Sequence, residues 1–101
     1  MASTKPATVE TILARYAADI AFVAEEPVAT TLVDFTNQLR SAAVGFDLAG
    51  INGFEDVEAA ANYLDDVGSS TDATEKAVFL KRAVKSLAHV DDMADEFRLM
   101  V

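Results

Sequence analysis

Apolar residues return at alternating steps of three and four in four separate stretches of this chain. The first is Val9, Leu13, Tyr16, Ile20 and Val23, and the second is Val28, Leu32, Phe35, Leu39 and Ala42. The third is Phe54, Val57, Ala61 and Leu64. The fourth runs through Leu80, Ala83, Leu87, Val90, Ala94, Phe97 and Val101. A three-four step keeps every member on one narrow stripe of an α-helix. Four such stripes in 101 residues call for helices packed seam to seam. The expected fold is all-α, a compact antiparallel bundle of about four helices with short loops, forming one domain over residues 1–101. Leu13, Ile20, Leu32, Phe35, Leu39, Leu64, Leu80 and Leu87 form the expected core.

Local signals set the expected boundaries. Pro6 suits the first position of helix 1, where its missing N–H would be unpaired anyway, with Ser3 or Thr4 as cap. Pro27 disfavours helical geometry in the residue before it, so helix 1 should end near Glu26 and Pro27 should open helix 2. That join would be very short. Helix 2 should run to about Val44, with Gly45 just beyond its end. The segment from Gly45 to Gly53 reads as a loop tucked onto the bundle by Phe46, Leu48 and Ile51. Asn52 with Glu55, and Asp72 with Glu75, resemble capping boxes that open helices 3 and 4. Helix 3 should stop near Val67, before Gly68. Helix 4 either runs from Ala73 to nearly the last residue or breaks around Val90-Asp91.

Composition narrows the function classes. Hydrophobic residues make up 51% of the chain, too many for a disordered one. With no cysteine there is no disulfide, thiolate metal site or cysteine nucleophile, which fits a cytoplasmic protein or a particle made in the cytoplasm. Seventeen acidic residues stand against eight basic ones, a net charge of −9. Such a chain repels nucleic acid and anionic membranes unless its bases are gathered on one face. The stretch MASTKPATVE has neither the charge nor the apolar run of a secretory leader. The uncharged stretches are far too short to span a bilayer.

No chemical constellation emerges from the motifs. Gly45 and Gly50 have the outer spacing of a phosphate-binding loop, but Ile51 and Asn52 stand where lysine and a hydroxyl residue are needed. Asp65-Asp66, Asp91-Asp92 and Asp95-Glu96 are adjacent pairs. Neighbours on a helix point about 100° apart and chelate poorly, so these acids read as solvated faces. A diiron bundle needs inward Glu-x-x-His motifs, and the single histidine, His89, has Ser86 three residues before it. His89 shares a helix face with Arg82 and Lys85 and reads as a surface residue. Lys76, Lys81, Arg82 and Lys85 form the one basic cluster, suited to acids of a partner or of helix 3, including Asp65 and Asp66. Tyr16 and Tyr63 read as aromatic residues at the core edge. No cofactor and no metal is expected.

What remains is apolar surface. Phe22, Val78, Phe79, Phe97, Leu99 and Met100 lie off their seams, beside them, or in the tail. So many on one small acidic domain point to a partner surface or self-association through helix faces. The expected function is that of a non-enzymatic interaction or assembly protein, a structural part of a larger complex such as a virion. The alternative is an acidic regulator whose carboxylates imitate nucleic acid and block a basic groove.

Overall fold

The computed structural model describes residues 8–100. Five helices follow in order: α1 (Val9–Ala24), α2 (Leu32–Leu48), α3 (Phe54–Ser69), α4 (Ala73–Leu87) and α5 (Val90–Met100). No strand occurs among the described residues. The chain is an all-α bundle, as the stripes require. α2 packs on both α1 and α3, α3 packs on α4, and α5 packs on α1. Arg15 meets Asp91 and Phe22 meets Phe97, so contacts run in the same order along α1 and α5.

Phe35, Phe46, Ile20, Leu39, Ile51, Leu64, Leu87, Val57 and Val90 are the largest fully buried side chains. Ala17, Ala42, Ala60, Ala61, Ala83 and Ala94 are buried among them. Their small side chains let neighbouring helices approach closely. Of the expected core, Ile20, Phe35, Leu39, Leu64 and Leu87 are buried, while Leu13, Leu32 and Leu80 are half-buried at its margin. Tyr16 is core rather than edge.

Several boundaries differ from the expectation, each for a local reason. Ser3, Thr4 and Pro6 lie outside the described residues. The cap of α1 is Thr8, whose hydroxyl accepts from the Thr11 amide at 3.2 Å, while the Thr8 amide donates back to the Thr11 hydroxyl at 2.9 Å. α1 ends at Ala24, and Glu25 follows in the left-handed region with φ 58°. Pro27 does not open α2. Thr31 does, accepting from the Asp34 amide at 3.2 Å. The join is therefore a seven-residue connector, residues 25–31, laid against α2 and held by Gln38, whose Nε2 donates to the Pro27 carbonyl at 2.6 Å. Val28 on this connector is exposed, not a seam residue.

α2 continues through Gly45 to Leu48. A glycine suits that mid-helix place because Val23 of α1 comes so near that an added Cβ would lie 3.3 Å from its Cγ1. Phe46 and Ile51 are buried as expected, but Leu48 points into solvent. Gly53, not Asn52, precedes α3, and it makes no side-chain cap. Its φ of 100° favours glycine, and the Met93 sulfur lies 3.0 Å from where a Cβ would stand, so a side chain there would also have to displace Met93. α3 runs on past Val67 to Ser69. Asp72 caps α4 by accepting from the Thr74 amide at 3.1 Å, while Glu75 accepts from the Ser70 hydroxyl instead of returning to the cap. The last stripe is two helices rather than one long one, and the break falls at Ala88-His89, two residues before the alternative Val90-Asp91 position.

Phe35 is fully buried on the α2 seam. Phe35→Ala should therefore cost about 3 to 5 kcal/mol of stability, measured by denaturant unfolding. A loss below about 1 kcal/mol would show that this seam is not the core.

Candidate functional site

The C-terminal ends of α1, α2 and α5 converge on three aromatic rings. Phe97 of α5 meets Phe22 of α1 edge to face at 6.1 Å between centroids, and Phe46 of α2 edge to face at 6.0 Å. The Arg98 guanidinium lies 4.8 Å from the centre of the Phe22 ring. Asp19 holds that guanidinium at 2.6 Å and Asp95 at 3.1 Å. A cation over an aromatic face adds to the apolar contact.

Around this cluster the surface is apolar. Phe22 is 44% exposed, Met100 59%, Leu48 84% and Leu99 87%. Leu48 closes α2 just after Phe46, and Leu99 and Met100 follow Phe97 directly along α5, so all three stand at the helix ends that carry the rings, whereas the exposed Val44 faces α3, lining a groove with Arg40, Phe54, Glu58 and Asn62. Glu25, Asp47, Asp95 and Glu96 are exposed at the same helix ends and give the apolar surface an acidic rim.

The six residues expected to contact a partner thus separate. Phe22, Phe97, Leu99 and Met100 come together at this end. Phe97 is the anchor beneath it rather than a free group, because it is half-buried against the core. Val78 and Phe79 lie elsewhere, on α4, where Val78 is exposed and Phe79 is half-buried against the core. Val101 lies outside the described residues. Leu48 is an addition to the expected set. It reads as a loop anchor, so only the extension of α2 turns it outward.

A carboxyl pair marks the α1–α5 contact. Asp91 shares a hydrogen bond with Asp19, which raises its pKa above the ordinary 3.8; partial burial and the Asp19 charge add to this, and Arg15 opposes it. Arg15 reaches Asp91 at 3.4 Å, but both side chains are half-exposed or more, so the pair contributes little.

Between α2 and α3, Asp65 is taken by Arg40 of α2, not by α4. Among the described residues, Lys76, Lys81, Arg82 and Lys85 join no ion pair. No cluster of three metal-ligating side chains occurs among the described residues, and no described helix is long and apolar enough to cross a membrane. The chain matches no protein-family model, no curated protein and no solved structure.

Two outcomes follow from this geometry. Phe97→Ala should destabilise by about 1 to 3 kcal/mol, whereas Leu99→Ser, on an exposed side chain, should cost less than about 0.5 kcal/mol. Denaturant titration distinguishes them, and equal costs would mean that Phe97 is not the anchor. The second concerns pH. An acid whose folded pKa is raised contributes stability below its unfolded pKa and loses it as pH rises through the folded one. Thermal unfolding of Asp91→Asn should therefore improve relative to the unaltered protein between about pH 3 and pH 7. The opposite slope would mean that Arg15, not Asp19, dominates the site.

Proposed function

We propose that the protein is a non-enzymatic helical assembly protein that docks a partner protein on the apolar end formed by α1, α2 and α5. One observation supports this reading: Phe22, Leu48, Leu99 and Met100 are all exposed at the helix ends where the half-buried Phe97 meets Phe22 and Phe46. Apolar surface left in water forfeits roughly 25 cal/mol per Å², and a patch with a polar rim is the usual form of a docking site.

The rim defines the partner's chemistry. Four exposed acids stand at these helix ends, and the base among them, Arg98, is already held by Asp19 and Asp95. Two copies meeting through this same end would bring acids against acids. The fitting partner is an amphipathic helix with an apolar stripe and flanking lysines or arginines. Nucleic-acid mimicry has less support, because the exposed acids are spread over every helix rather than ranked along one face.

Two designed helical peptides test this reading. They share one leucine stripe, flanked by lysine in the first and by glutamate in the second. The lysine peptide should bind, with fluorescence anisotropy as the readout, and the glutamate peptide should bind at least tenfold more weakly. Leu48→Lys combined with Leu99→Lys should remove binding, while Val78→Lys, on α4, should leave it intact. Equal binding of both peptides, or binding indifferent to the Leu48 and Leu99 changes, would overturn the assignment.

A further inference from the structure

A groove of about 580 Å³ runs between α3 and α4, lined by none of the residues of the apolar end. Asp56 and Tyr63 line it from α3, and Arg82, Lys85, Ser86 and His89 line it from α4 and the break that follows. Positions seven apart on α3, and three, four and seven apart on α4, share one helix face, so the two rows look at each other across the groove.

All six side chains end in polar groups, and none of them makes a hydrogen bond or an ion pair with the rest of the described chain. That contrasts with the other described arginines. Arg15, Arg40 and Arg98 each bridge two helices through a carboxylate. Arg82 does not, although seventeen acids were available to an eight-base protein. The α4 cations are therefore not part of what holds the bundle together. Arg82 offers a planar fork of donors, Lys85 an ammonium, and Ser86, Tyr63 and His89 further donors.

From this convergence we infer a binding site for a small phosphomonoester. The Arg82 guanidinium and the Lys85 ammonium match the charge of a phosphate dianion, and charge-assisted hydrogen bonds to its oxygens are the strong kind. The volume exceeds what a phosphate needs and falls in the range of small-molecule sites. Asp56, the one acid in the groove, would repel a bare anion beside it, but it accepts a hydrogen bond from a hydroxyl carried on the organic part of the ligand. That places the phosphate on the α4 side and the hydroxyl-bearing body toward Asp56. A long polyanion is disfavoured, because beyond the groove it would meet a surface of net charge −9.

Titration followed by amide and side-chain NMR tests the assignment, with inorganic phosphate, ribose 5-phosphate and ribose as probes. Ribose 5-phosphate should perturb Tyr63, Arg82, Ser86 and His89 and bind at least fivefold more tightly than inorganic phosphate, and ribose should not bind. Arg82→Gln should weaken ribose 5-phosphate at least tenfold. Lys81→Gln removes the same charge from the same helix outside the groove and should change affinity less than twofold. Asp56→Asn should narrow the preference for ribose 5-phosphate over inorganic phosphate. The assignment is overturned if no phosphate probe perturbs the groove, or if Lys81→Gln weakens binding as much as Arg82→Gln, which would show diffuse attraction only. Equal affinity for inorganic phosphate and ribose 5-phosphate would also overturn it. The apolar-end reading is untouched by any of these results, since none of its residues lines the groove.

Discussion

Phe97 reaches from α5 between Phe22 of α1 and Phe46 of α2, with both rings meeting it edge to face near 6 Å. Each such pair contributes about 0.5 to 1.5 kcal/mol beyond the area it buries. The geometry does more than add stability. α4 leans on α3 and has little contact with α1, so without α5 the α1 side of the bundle would stand open. The break at Ala88-His89 lets the chain turn, and Val90, Met93 and Ala94 then bury the inner face of α5. Met93 reaches as far as Gly53, so α5 also fixes the turn that starts α3. The aromatic contact thus ties together elements far apart in sequence, and it decides which apolar residues are left outside.

The fold was legible where side-chain periodicity carried it and less so where a single residue had to mark a boundary. Ile20, Phe35, Leu39, Leu64 and Leu87 are buried because a three-four repeat has one geometric meaning on a helix. Pro27 misleads because a proline is equally at home at a helix start and in an extended connector. Which applies depends on Gln38, eleven residues on, whose amide fixes the connector carbonyl. Gly45 misleads in a similar way. It reads as a helix stop, yet it is a place of close approach dictated by Val23 on another helix. In both cases the deciding partner is tertiary, and no local pattern contains it.

The candidate surface was half legible for the same reason. Phe22, Phe97, Leu99 and Met100 could be found as apolar residues away from a seam or in the tail, and they do gather at one end. Leu48 depends on α2 running one turn further than its glycine suggests. The groove on the other side was missed as a unit. His89, Lys85 and Arg82 could be placed on one helix face from spacing alone, but nothing in the sequence brings Asp56 and Tyr63 opposite them. A face within one helix is readable from periodicity, whereas a site between two helices also needs their register.

The charges separate along the same division. Three arginines are spent between helices, Arg15 and Arg98 joining α1 to α5 and Arg40 joining α2 to α3. Exposed pairs of this kind contribute roughly 0 to 1 kcal/mol each, so they select the register of helices more than they stabilise them. α4 has no such pair with any described residue, although it carries four of the eight basic residues. It is held instead by Ala83, Leu87 and the half-buried Phe79, Leu80 and Val84. A helix attached by its apolar stripe alone can keep its charged face free of internal bonds. The bundle therefore has two surfaces of different chemistry, an acid-rimmed apolar end and a groove where Arg82 and Lys85 lie unpaired with any described residue.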